Sequence, residues 1–280
     1  PGGYGREFAL LEVLREAARI METGQKAALA TIISTTGSTP GKDGAKMLVR
    51  DDGSTVGTVG GGCTESDIWR ISMEVIASGS PRRETFRLTA ATVAATGLLC
   101  GGEFEVYIEP IGTPSVIILG GGHIAASMVE VLATLDWPVT VIDDRADFAH
   151  PDRFPRASEV LCKPFETCLD DVLVTANSCI VVVTRGHEHD ELALSRAVET
   201  SAGYIGLIGS RGKIGAIRKN LRAAGVSESK LENVRAPVGI PIGSRTPEEI
   251  AISIAAELIA LHRGSIQKEP KEGDSRQYSV

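Results

Sequence analysis

Residues 115–143 read SVIILGGGHIAASMVEVLATLDWPVTVID, and this stretch decides the fold. Val116 to Leu119 is an uninterrupted apolar run of strand length, and it breaks into three glycines, Gly120, Gly121 and Gly122. Apolar residues then return at helical spacing from about His123 to Leu135, and Val139 to Ile142 form a second buried strand ending in Asp143. The spacing Gly120-x-Gly122-x-x-Ala125 is that of a dinucleotide-binding turn with alanine in the third place. Asp143 falls where such a fold hydrogen-bonds a ribose. Strand, turn, helix and acidic strand end agree, so the stretch predicts a β-α-β unit that opens a parallel sheet.

Downstream the same alternation continues. Strands are expected at Val160-Leu161, Cys179–Thr184, Tyr204–Ile208 and Val234–Val238, with helices at Glu191–Thr200, Lys213–Ala224 and Pro247–His262. Pro247 followed by Glu248 and Glu249 is a normal helix start. The fold class is therefore α/β, with a Rossmann-like, doubly wound parallel sheet over residues 113–266. The polar residues 267–280 are expected to form a disordered tail.

Upstream the pattern differs. Phe8 to Met21 is an expected helix with Leu11, Leu14, Ala18 and Met21 on its apolar stripe, stopping at Gly24. Lys26–Ser34 is a strand, and Ala45–Arg50 with Ser54–Val59 make a hairpin about Asp51-Asp52-Gly53. A glycine run, Gly60-Gly61-Gly62, leads through Cys63 into a helix at Ser66–Ala77. Strands follow at Arg83–Leu88 and Phe104–Glu109. Residues 1–112 are thus a smaller α+β domain, closed by the Gly/Pro-punctuated joint Pro110–Pro114.

Composition narrows the function. A length of 280 residues with 42% apolar content suits two domains with their own cores. The net charge of −7 argues against nucleic acid or an anionic membrane as a partner, since either needs a basic face. No apolar run approaches a membrane span, and the first residues show no leader pattern. Five cysteines (63, 100, 162, 168 and 179) form no CxxC pair, which points to a reducing cytoplasm rather than a disulfide framework. Cys162, Cys168 and Cys179 lie among apolar residues and are expected to pack.

In an open α/β sheet, ligands bind beyond the carboxyl ends of the strands where strand order reverses. His123, His187 and His189 all fall at such ends and are expected to approach one another. With Asp190 they offer metal ligands or proton carriers, and equally the hydrogen bonds that hold a loop; the spacing alone makes no metal site. Arg145, Arg185 and Arg211, the last beside Ser210, are candidates to hold phosphate, because a guanidinium donates two parallel hydrogen bonds to an oxyanion. In the first domain, Gly60, Gly61 and Gly62 present backbone N–H groups at a helix start. Cys63 there, and Cys100 in a bare glycine loop, are the thiolate candidates.

The segments GSTPGKDGAKMLV, VGGGCTE, GLLCGGEFEVYIEP, VIILGGGHIA, VTVIDDR, TRGHEHDELAL, YIGLIGSRGKI and APVGIPIGSRTPEEIAISIAAELIA follow one another in this order along the chain. The chain resembles the XdhC/CoxI family of accessory proteins for molybdenum hydroxylases of the xanthine and carbon monoxide dehydrogenase type. It departs from that pattern at Lys42-Asp43-Gly44 and at Leu98-Leu99. The resemblance implies a cytoplasmic, homodimeric cofactor chaperone rather than a turnover enzyme. Such a protein binds molybdenum cofactor (molybdopterin or its dinucleotide), holds it during sulfuration by a cysteine desulfurase and delivers it to an apo molybdenum hydroxylase. On that reading Gly120–Gly122 suit the phosphate, and Cys63 or Cys100 suits the molybdenum and sulfur. The competing reading is an oxidoreductase using NAD(P), which rests on the glycine turn and Asp143.

Overall fold

In a computed structural model of the chain, residues 4–88 and 102–265 are described. The chain divides between Gly112 and Thr113 into two compact units.

The N-terminal unit runs α1 (Tyr4–Thr23), β1 (Ala27–Thr36), β2 (Lys46–Arg50), β3 (Thr55–Gly57), α2 (Cys63–Ser78), β4 (Arg82–Arg87) and β5 (Glu103–Ile111). Its strands form an antiparallel sheet in the order β3-β2-β1-β5-β4. Side chains alternate across a strand, so β1 feeds two cores. Ala28, Ala30 and Ile32 pack with Ile68 and Val75 of α2, whereas Ala27 and Leu29 pack with Val13, Ala17 and Ile20 of α1. Here the expected stripe on α1 is corrected. Leu11, Leu14 and Met21 are exposed, at 41%, 48% and 52%, and the buried face is Val13, Ala17 and Ile20.

The C-terminal unit runs β6 (Ser115–Leu119), α3 (His123–Ala133), β7 (Val139–Asp143), β8 (Glu159–Cys162), β9 (Ser178–Val182), α4 (His187–Ala197), β10 (Tyr204–Leu207), α5 (Arg211–Ala223), α6 (Glu228–Glu232), β11 (Val234–Arg235) and α7 (Pro247–His262). Every pairing is parallel, and the order is β11-β10-β9-β6-β7-β8. The sheet grows one way from β6 to β8, and the chain then returns to place β9 on the other side of β6. This is the doubly wound order that the sequence predicts, with its reversal between β6 and β9. Both faces are covered, as a parallel sheet requires. Val116 and Ile118 pack beneath α3 and α7, and Ile117 and Leu119 beneath α4 and α5.

Several boundaries move. Helix α4 begins at His187, four residues before the expected Glu191, because Gly186 serves as its N-cap and Glu188 and Asp190 occupy the first turn. That puts His187 and His189 on a helix rather than in a loop. Helix α5 begins at Arg211, and β11 keeps only Val234 and Arg235. Cys168 and Cys179 are buried as expected, but Cys162 is exposed at the end of the edge strand β8. Among the described residues no helix is long and apolar enough to cross a membrane. Cys100 and the tail 267–280 lie outside the described residues.

Candidate functional site

At the carboxyl edge of the parallel sheet, β6 runs into Gly120–Gly122, and the turn is packed too closely for side chains. Gly120 has φ +117°, and a Cβ there would stand 2.5 Å from the Val183 carbonyl oxygen, just past β9. A Cβ on Gly121 would stand 2.4 Å from the Phe148 oxygen. Gly122 is different, for a Cβ there meets nothing within 4 Å, and the residue is the N-cap of α3. Ala125, in the third place of the turn motif, is fully buried in the core.

Asp143 holds this turn from the end of β7. It is 1% exposed, and its carboxylate accepts hydrogen bonds from the Gly121 N–H at 2.8 Å and the Arg145 N–H at 3.0 Å. The Arg145 guanidinium adds two more, at 2.8 and 3.0 Å. Burial alone raises the pKa of this carboxyl. The Arg145 side chain, the Gly121 N–H and the Arg145 N–H together outweigh it and leave the pKa below the usual value. A carboxylate with four donors on it serves the turn itself rather than presenting an open acceptor to a ribose. Arg145 also lies 3.5 Å from the Phe148 ring centre, and Arg153 lies 4.6 Å from it and donates to the Gly121 carbonyl at 3.2 Å.

Asp144, which the sequence did not single out, stands 24% exposed and makes a two-pronged ion pair with Arg185. The Nε2 of His189 lies 3.6 Å from the same carboxylate, and the His189 ring meets Phe165 edge-on at 5.8 Å. Asp190, fully buried, accepts from the Thr184 N–H and hydroxyl at 3.1 and 2.5 Å and forms an ion pair with Lys213 of α5. The ends of β7, β9 and β10 are thereby tied together by charged groups.

The histidines meet different carboxylates. His123 is exposed at the start of α3 and close enough to Glu248 of α7 to affect it electrostatically. That effect adds to the N-terminal backbone and Thr246 hydrogen bonds that lower the Glu248 pKa. His189 turns to Asp144 instead. Among the described residues no group of three or more His, Cys, Asp or Glu side chains is placed to hold a metal ion.

Four helices start at this edge, and their caps differ. Ser210 caps α5 by accepting from the Lys213 N–H at 3.4 Å, with Arg211 exposed beside it. Thr246 and Glu249 form a reciprocal capping box on α7. By contrast α3 and α4 both start with Gly-His, at Gly122-His123 and Gly186-His187, and neither N-cap carries a side-chain hydrogen bond. These are the helices that follow β6 and β9, the two strands at the reversal. The α3 start has no acidic residue in its first turn, so its N–H groups and the positive end of its dipole favour an anion there, whereas Glu188 and Asp190 stand in the first turn of α4.

The N-terminal unit presents its own glycine turn. Gly60, Gly61 and Gly62 all have positive φ, and Gly60 lies against Pro40 and Gly41, where a Cβ would stand 2.5 Å from the Gly41 nitrogen. A cavity of about 290 Å³ lies beside this turn, between the Pro40–Lys46 loop, Thr58 and Gly60. Helix α2 opens at Cys63 with Gly62 as an uncapped N-cap, but Glu65 sits in its first turn and already answers the helix dipole.

A model of the XdhC Rossmann domain matches residues 116–258, and a model of the XdhC and CoxI family matches residues 20–87. The chain belongs to the XdhC and CoxI family. YqeB of Escherichia coli, an uncharacterised protein, is 30% identical over 275 residues; the match takes in 96% of this chain but 50% of that protein. The chain thus spans half the length of that relative. A probable xanthine dehydrogenase subunit from Bacillus subtilis is 22% identical, with 86% of this chain and 94% of that one covered. The molybdenum cofactor insertion chaperone PaoD of Escherichia coli is 23% identical, covering 90% and 89%. A solved structure described as a xanthine dehydrogenase from Bacillus halodurans shares the fold, at a TM-score of 0.50 and 22% identity. That match covers 93% of this XdhC/CoxI chain and 98% of the other.

Proposed function

We propose that the protein is a maturation factor for a molybdenum hydroxylase, and that its C-terminal unit holds the phosphate of molybdenum cofactor at the start of α3. The cofactor is cargo here, a phosphorylated pterin that carries molybdenum through a dithiolene. The observation that carries this reading is the start of α3 at the reversal of strand order, which has a glycine N-cap, no side-chain cap and no acidic residue in its first turn, while α5 and α7 at the same edge are capped. Arg185, at the start of α4, supplies a two-pronged donor for a phosphate. Ser210 and Arg211 border the same edge at α5.

Family membership and the likeness to the molybdenum cofactor insertion chaperone PaoD support the cargo's identity. In the N-terminal unit, the Gly60–Gly62 turn leads into α2, whose first residue is Cys63. We assign to Cys63 and Cys100 of the N-terminal unit the handling of the cargo's sulfur. On this reading the protein protects the cofactor while a cysteine desulfurase supplies sulfur, passes it to the apo-hydroxylase, and works as a cytoplasmic homodimer. We assign His123, His187 and His189 to the surroundings of that phosphate.

Equilibrium dialysis of the full chain against molybdenum cofactor tests the reading. The expected result is stoichiometric binding, weakened about tenfold or more by Arg185→Gln, since a charge-assisted bond is lost. Cys63→Ala and Cys100→Ala should leave binding of the phosphate end intact but shorten the lifetime of the bound, sulfurated cargo. Absence of binding by the wild-type chain removes the proposal.

A further inference from the structure

We infer that Asp144 competes with an anionic ligand for Arg185, and so makes the C-terminal unit select a terminal phosphate group over the internal pyrophosphate of a dinucleotide. The inference rests on the reading of this edge as an anion site and adds a selecting residue to it. Asp144 follows β7 and Arg185 follows β9, and both strands pair with β6 between them. The ion pair therefore crosses the end of β6, where the Gly120–Gly122 turn begins and the two glycine-capped helices start.

Its geometry is the one a phosphate would use. Both guanidinium nitrogens of Arg185 donate to the two oxygens of Asp144, one of them at 2.8 Å, and phosphate offers a guanidinium the same fork of oxygens. Solvent reaches the pair, for Arg185 is 36% and Asp144 24% exposed. Exposed pairs of this kind add little to stability, so exchanging one oxyanion for another costs the fold little. Asp144 also has somewhere to go. Arg145 Nε lies 3.9 Å from its Oδ1 and His189 Nε2 lies 3.6 Å from its Oδ2, so releasing Arg185 leaves it facing other basic groups.

Charge then decides which ligands win. Asp144 presents one negative charge to Arg185. A terminal phosphate monoester carries about 1.5 to 2 near neutral pH, whereas each phosphorus within a dinucleotide's pyrophosphate carries one. Asp143 pushes the same way, because the carboxylate that dinucleotide-binding folds offer to a ribose is here taken up by Gly121 and Arg145.

The test measures the affinity of the full chain for inorganic phosphate and for NAD by titration calorimetry near pH 8. It compares the wild type, Asp144→Asn, Arg185→Gln and the double variant, each confirmed folded by its melting temperature. The expected results are phosphate binding tighter than NAD binding, and a gain of about five- to tenfold in phosphate affinity for Asp144→Asn. The gain arises because Arg185 is available only in the fraction of molecules where Asp144 has let it go. In the Arg185→Gln background the gain disappears, which a merely structural role for Asp144 does not produce. Unchanged or weaker phosphate binding in Asp144→Asn, with binding still lost in Arg185→Gln, overturns the competition and leaves the anion site standing. No phosphate binding by any of the four proteins overturns both.

Discussion

The Asp143 carboxylate accepts a hydrogen bond from the Gly121 backbone N–H at 2.8 Å, so the last residue of β7 fixes the turn that follows β6. The same group holds Arg145 on both of its oxygens. Asp143→Ala removes a buried charge from a paired guanidinium and an acceptor from a buried N–H, and is expected to destabilise the C-terminal unit by about 3 kcal/mol. Urea denaturation of the variant against wild type checks the figure. Because the folded pKa lies below the unfolded one, this contribution is complete above the ordinary carboxylate range, near pH 4. It drains away as pH falls through the lower folded value. The difference between wild type and Asp143→Ala should therefore be steady at neutral pH and shrink in strong acid; a difference that grows on acidification contradicts the pairing.

The three glycines of this turn separate fold from function. Gly120→Ala forces a side chain to φ +117° and into the Val183 carbonyl, and is expected to cost about 3 kcal/mol or more. Gly122→Ala meets no atom within 4 Å at an ordinary φ of −79°, so its stability should stay within about 1 kcal/mol of wild type. Thermal unfolding of the two variants should show that order. If Gly122→Ala keeps its melting temperature but weakens phosphate binding, the helix start is the contact surface.

Much of this was legible in the sequence, and the reasons are local. A four-residue apolar run, a glycine turn and a helical period lie next to one another between Val116 and Leu135, so the first β-α unit needs no long-range information. The partners at the site do need it. Asp144 meets Arg185, and Asp190 meets Lys213, because strand order brings separate strand ends together, and no local pattern in the chain displays that order. Helix α1 failed for another reason. Leu11, Leu14, Ala18 and Met21 share helical spacing, but so do Val13, Ala17 and Ile20. The second set won against a sheet face built from Ala27, Leu29 and Leu48. For α4, the Gly186 N-cap was the readable signal that would have put His187 and His189 on a helix.

Lys213 reaches from the first turn of α5 to Asp190, which is fully buried at the start of α4. Lys213→Ala leaves that carboxylate with only Thr184 as a donor among the contacts described, and should destabilise the unit by about 3 kcal/mol. The double variant Lys213→Ala/Asp190→Asn should recover part of the loss, since it takes away the stranded charge as well. A double-mutant cycle by chemical denaturation measures this, and strict additivity of the two changes counts against the ion pair.

Glu257 of α7 is fully buried and accepts from the Gly239 N–H at 2.5 Å, with the Arg235 Nε 3.9 Å away. Three further bonds tie the same loop down: Val238 donates to Leu207 at the end of β10, and Ser253 exchanges two hydrogen bonds with Ile240. Burial is the first cause that raises the Tyr204 hydroxyl pKa well above its usual value, and the charge of Glu257 is the second, so the phenol stays protonated beside the carboxylate. Glu257→Leu takes away the acceptor of Gly239 and the opposite charge of Arg235 in one step. The expected loss is about 3–5 kcal/mol. Glu257→Gln keeps an acceptor for Gly239 and should lose less, which separates the hydrogen bond from the charge. Hydrogen exchange localises the effect: the amides of Val238, Gly239 and Ile240 should lose protection in Glu257→Leu more than those of β6. Equal loss across the whole sheet would mean that Glu257 serves the core in general and not this loop.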